Sequence, residues 1–151
     1  EKIHVALEHQ IEDPMAEIDA DQVTQVLNNL ITNACHAMPG GGHITIRTTG
    51  DNDEVHLCIS DTGVGIPKEH QAKIFEPFFT TKSLGKGTGM GLAVTYGIVK
   101  MHRGRISVES NDNPEAGPTG TSFTVSLPRH GGEPAHWEDF MLEEERAGSI
   151  G

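Results

Sequence analysis

Asn29 and Asn33 stand four residues apart in the run QVLNNLITNACHA, with His36 three residues further on. At about 100° per residue a helix gathers these three side chains on one narrow face. Asn is a mediocre helix former, and neither amide sits where a cap would use it. As bare sequence the face also reads as a solvated polar surface. As chemistry, two carboxamide oxygens suit a hard cation. Mg²⁺ prefers oxygen ligands and takes few protein groups when phosphates supply the rest of its shell. Neutral amides complete that shell without adding repulsion to a polyphosphate.

Three further stretches have chemical potential. In ISDTGVGIP, Asp61 ends a strand pattern and is followed by Gly63 and Gly65. A carboxylate there can accept from an exocyclic amine, while the glycines let the chain pass close to a flat ring. The same letters also make an ordinary turn. In SLGKGTGMGLAV, Gly85, Gly87, Gly89 and Gly91 alternate and feed a helix, whose first amides form an anion site. Lys82 and Lys86 flank that stretch. It is neither of the two familiar phosphate loops. Leu92 stands where the dinucleotide fingerprint needs its third Gly, and Thr80 and Gly87 break the Walker pattern. IFEPFFTTK holds Phe75, Phe78 and Phe79, which read equally as core plugs or as anchors of a movable lid.

These residues need a scaffold, and its elements are legible. Ile3, Val5 and Leu7 alternate as in a strand. From Asp21 to Met38, Val23, Val26, Leu27, Leu30, Ile31, Ala34 and Met38 form one helical stripe, with Asp19 or Asp21 as its cap and Pro39 with three glycines as its stop. HITIRTT and VHLCISD flank the turn GDND and predict an antiparallel hairpin. A short helix is expected from about Pro67 to Ile74 and a longer one from about Met90 to Met101. RISVES and TSFTVSLP are two more strands. The expected fold class is α+β: a two-layer sandwich with a mixed, mostly antiparallel sheet and helices on one face.

Composition bounds the rest. A chain of 151 residues is one domain in size and can bury a core without disulfides or metals. The predicted domain is 1–128, with 129–151 an acidic tail or linker carrying one amphipathic turn around Trp137, Phe140 and Leu142. The net charge of −11 argues against nucleic acid or an anionic membrane as main partner. Cys35 and Cys58 have no metal spacing and read as small core residues in a reducing compartment. No apolar run reaches the roughly 20 residues of a membrane span, and no signal peptide opens the chain. A soluble, cytoplasmic piece of something larger is expected.

In this order the stretches resemble the catalytic ATP-binding domain of bacterial two-component sensor histidine kinases, part of the wider gyrase, Hsp90 and MutL ATPase superfamily with its Bergerat-type fold. The boxes of that family read here as NNLITNACHA, DTGVG, FEPFF and GKGTGMGL, followed by the strand GTSF. The resemblance covers roughly residues 1–128, and FEPFFTTK most resembles the nitrogen-regulation-type cytoplasmic branch. It implies ATP and Mg²⁺, with Asn33 on the metal and Asn29 assisting. Asp61 would hold the adenine amine, with Gly63, Gly65 and Thr121 around the base. Lys86, Thr88 and the amides of Gly87, Gly89, Met90, Gly91 and Leu92 would hold phosphates. Ala37, Ile66, Phe75 and Lys82 complete the implied ATP-contacting set. His36 stands where the family often has Lys or Arg, and a neutral His is the weaker phosphate ligand.

ATPases and serine kinases of the superfamily carry a Glu four residues before the metal Asn, as a base for water or serine. That position here is Asn29, which takes no proton at neutral pH. A site without a base suits a nucleophile already reactive when neutral, such as imidazole. The family's acceptor His is followed by Glu or Asp, and none of the nine histidines here is. The implied partners are therefore a separate dimerisation and phosphoacceptor domain, and a response regulator downstream. The alternatives are a serine kinase or ATPase of the same superfamily, marked by robust ATP hydrolysis, and a binding module without transfer.

Overall fold

The computed structural model describes residues 2–10, 16–76 and 91–129. The elements run β1 (Ile3–Gln10), α1 (Ala20–His36), β2 (Gly42–Gly50), β3 (Glu54–Asp61), α2 (Lys68–Gln71), α3 (Gly91–Met101), β4 (Arg105–Asn111) and β5 (Gly120–Pro128). The strands form one sheet in the order β1-β2-β3-β5-β4. β1 pairs with β2 in parallel, and α1 is the crossover that such a pair requires. Every other pairing is antiparallel.

Side-chain alternation fixes which face meets the helices. Ile46, Ile59, Phe123 and Val108 line up across β2, β3, β5 and β4, and Leu57, Val125 and Ile106 form a second row. Val26, Leu30, Ala34 and Met38 from the α1 segment and Ile98, Val99 and Met101 from α3 join this face in one core. The alternate rows are polar: Thr45, Ser60, Ser122 and Glu109, then Arg47, Cys58, Thr124 and Ser107. Ser60 and Ser122 hydroxyls lie 2.7 Å apart, and Cys58 Sγ sits 3.6 Å from Ser60 Oγ. Cys58 is thus placed among hydroxyls by strand register, whereas Cys35 packs against the core as expected. Both are free thiols.

Two boundaries have clear local causes. Asp19 caps α1: its carboxylate accepts the Gln22 N–H at 3.1 Å, supplying a partner that the helix itself cannot. α2 is shorter than the expected Pro67–Ile74. After Gln71 the backbone closes through bonds from Lys73 N to His70 O and Glu76 N to Lys73 O, the tighter three-residue spacing. At the far end of β5, Arg129 is buried. Its N–H donates to Asp53 O, its Nε to Asp51 O, and its carbonyl accepts from Glu17 N. Among the described residues no helix is long and apolar enough to cross a membrane.

Candidate nucleotide site

α1 brings Asn29, Asn33 and His36 towards one face, as their spacing predicts. Asn29 and Asn33 are half-buried and His36 is exposed in the last turn. The Asn29 amide nitrogen donates to Gly91 O at 3.2 Å and to Thr95 Oγ1 at 3.3 Å. A carbonyl oxygen only accepts, so the nitrogen faces α3 and the carboxamide oxygen turns away from it. Among the described residues that oxygen has no partner. Asn29 therefore joins the helix carrying the amides to the first turn of α3, where the glycine-rich run ends.

A second cluster is built around Asp61, the last residue of β3. One carboxylate oxygen accepts from Gly63 N at 2.9 Å and from Thr121 N at 3.2 Å. Among the described residues the second oxygen has no partner. Burial raises the carboxyl pKa, against the opposing pull of the two N–H bonds. Gly63 is pressed on the end of α1: a Cβ there would stand 2.5 Å from Ala37 O, and Ala37 O itself accepts from Val64 N at 3.1 Å. Gly65 has φ +80°, and a side chain there would also collide with the Asn111 carbonyl. The two glycines let the loop lie flat between α1 and β4.

That loop is clamped from the other side by residues that motif reading overlooks. Ser110 Oγ accepts from Ile66 N at 2.7 Å and lies 2.8 Å from Thr121 Oγ1. Gln71 Nε2 donates to Ile66 O at 2.9 Å. Ala37, Asp61, Gly63, Gly65, Ile66 and Thr121 are thus brought together. Ser110 and Gln71 left no sequence signal, because a Ser in a strand and a Gln in a short helix are commonplace. Thr95 did leave one: it is the one aliphatic hydroxyl in a mostly apolar α3.

Phe75 packs into the core, with ring centroids 5.5 Å from Tyr96 and 6.3 Å from Phe123. Leu92 is partly buried against the core in the first turn of α3, and Gly91 is exposed at its start. Lys82, Lys86, Gly87, Thr88, Gly89 and Met90 lie outside the described residues, as do Phe78 and Phe79. A half-buried carboxylate thus lies beside a closely packed glycine loop that meets the end of the amide-bearing helix.

The chain belongs to the family described as histidine kinase-, DNA gyrase B-, and HSP90-like ATPase, which it matches over residues 18–131. Within it the sensor kinase CckA of Brucella abortus is 42% identical over 144 residues, covering 85% of this chain and 14% of that protein. Sporulation kinase A of Bacillus subtilis is 46% identical over 111 residues, covering 74% of this chain and 17% of that one. The chain therefore spans less than a fifth of the length of either relative. Among solved structures, the catalytic domain of histidine kinase ThkA superposes with a TM-score of 0.72 at 35% identity, covering 84% of this chain and 80% of that one. The same kinase in complex with response regulator protein TrrA gives 0.68 at 30% identity, covering 85% and 35%. The fold is the α+β sandwich of these kinase domains.

Proposed function

We propose that this domain binds Mg²⁺-ATP and donates the γ-phosphoryl group to a histidine on a separate dimerisation and phosphoacceptor domain, with a response regulator as the later recipient. The observation that carries this reading is the state of position 29. Its side chain is an amide whose nitrogen is committed to α3, so it offers no base to a water or a serine. The one acidic residue within α1 is Asp21, twelve residues before Asn33 and so about 18 Å away along the axis. Phosphoryl transfer depends chiefly on positioning and charge stabilisation, and a neutral imidazole needs little help to attack.

The residues fit the roles this requires. Asp61 accepts the adenine amine with its unclaimed oxygen, between Gly63, Gly65 and Thr121. Asn33, aided by the open oxygen of Asn29, suits the ion that travels with the triphosphate, since both offer neutral oxygen donors. That ion would offset negative charge on the phosphates. The first amides of α3 and the glycine-rich run before it hold phosphate oxygens, with Lys86 and Thr88. His36, at the exposed end of α1, reaches a phosphate best when protonated.

The test mixes this chain with the phosphoacceptor domain of its parent kinase and γ-labelled ATP. An acid-labile label on that domain, with none on this chain alone, is the expected result. Acid-stable phosphoserine, or robust hydrolysis by the isolated chain, would overturn the reading.

A further inference from the structure

Thr95 is fully buried, at 0% exposure, in a helix whose other buried members are Gly97, Ile98, Val99 and Met101. A hydroxyl in that setting costs free energy unless it is bonded. Its hydrogen goes to Gly91 O at 2.9 Å, the local bond of a helical Thr. With the proton so directed, a lone pair is left facing the Asn29 amide nitrogen at 3.3 Å. Gly91 O and Thr95 Oγ1, themselves 2.9 Å apart, both accept from that amide nitrogen. Flipping the amide would set its oxygen against the Gly91 carbonyl oxygen and lose both bonds.

We propose that Thr95 is a positioning residue for the bound Mg²⁺-triphosphate, acting through Asn29: its hydroxyl locks the Asn29 amide so that the oxygen is presented away from α3, on the side that carries Asn33. This rests on the nucleotide reading above and adds a specific dependence to it. The adenine end, built on Asp61, Gly63, Ser110 and Thr121, shares no atom with the lock. Loss of the Thr95 hydroxyl therefore acts on the phosphate end alone.

The experiment compares Thr95→Val and Thr95→Ser with the unaltered chain by calorimetry, using Mg²⁺-ATP and adenosine as separate probes. Val preserves the branched shape and removes the hydroxyl; Ser keeps the hydroxyl. Thr95→Val should weaken Mg²⁺-ATP about three- to tenfold, the scale of one hydrogen bond, and leave adenosine unchanged. Thr95→Ser should restore Mg²⁺-ATP affinity. In an Asn29→Ala background, Thr95→Val should cost nothing further, because the two residues act as one unit. Equal losses for both probes, no loss for either, or additive effects with Asn29→Ala would each overturn the proposal. If Thr95→Val does not fold, the Asn29 carboxamide proton resonances of the unaltered chain decide. Carboxamide protons shielded from exchange with solvent, and losing that protection in Thr95→Ala, support the lock; protons that exchange as freely as those of an exposed Asn refute it. Should the unaltered chain bind no Mg²⁺-ATP, the nucleotide reading fails by itself, and the resonances still report on the lock.

Discussion

At Asp61 the demands of the proposed adenine contact and of folding oppose each other. Two N–H donors hold one carboxylate oxygen, yet burial outweighs them and raises the pKa. A carboxyl with a raised folded pKa binds its proton more readily folded than unfolded, where the value is about 3.9. Its charge is therefore a cost to stability at neutral pH, relieved as pH falls through the folded pKa towards that lower value. Asp61→Asn keeps an oxygen for Gly63 and Thr121 but turns an NH₂ group to the adenine amine. We expect a melting temperature at or above that of the unaltered chain near pH 7, with the margin shrinking as pH falls. ATP affinity should drop about ten- to a hundredfold, the scale of one charged hydrogen bond. Adenosine affinity of the unaltered chain should fade on acidification at a higher pH than an ordinary aspartate would give. A calorimetric pH series that is flat down to about pH 4 would remove the carboxylate from the contact. The place of Asp61 was legible in the sequence, as an acid ending a strand pattern before spaced glycines, although the same letters also make an ordinary turn. The Ser110 and Thr95 bonds were not, since they join residues 44 and 66 positions from their partners.

Between elements, the site depends on how α1 is pinned at both ends. Near its start, buried His102 just past α3 accepts from Asp19 N–H at Nε2, 3.0 Å away, while Nδ1–H donates to Ile98 O at 2.9 Å. At its close, Ala37 meets Gly63 and Val64. His102→Leu fills the space but strands the Asp19 N–H. A loss of about 1–3 kcal/mol in denaturant unfolding is expected, with adenosine affinity unchanged. Gly63→Ala drives a methyl into the Ala37 carbonyl. It should cost about 1–3 kcal/mol and, with the loop against the base as proposed, weaken adenosine too, because the loop must lift. If Gly63→Ala left nucleoside affinity intact, the flat loop would not be part of the base pocket. Helix and strand positions were readable from periodicity, since both long helices and all five strands follow patterns of 3.6 and 2. What periodicity concealed was the environment of β1. Val5 and Leu7 sit in register with Ile44 and Ile46, yet stay 58% and 63% exposed, because an edge strand obeys the same alternation as a covered one.

Among the described residues the helices rest on one face of a sheet. α1 meets both α3, at Asn29, and the loop after β3, at Ala37, so the candidate site draws on all three. No single element owns it, so a ligand that touches all three should tie the fold together. Binding to the folded state alone stabilises by about 2.7 kcal/mol at a hundred times Kd. For a domain of this size that corresponds to a rise of about 5–10 °C in melting temperature. Mg²⁺-ATP should produce that rise, and adenosine a smaller one, since it reaches the Asp61 wall but not the phosphate end. Asn33→Ala separates the two contributions. The half-buried amide is replaced by a good helix former, so the unliganded melting temperature should change little. The shift from Mg²⁺-ATP should fall towards that from adenosine, and added EDTA should have almost no further effect. If the Asn33→Ala chain kept the full Mg²⁺-dependent shift, the metal would be held elsewhere. The amide face of α1 would then be the solvated surface that its composition also allows.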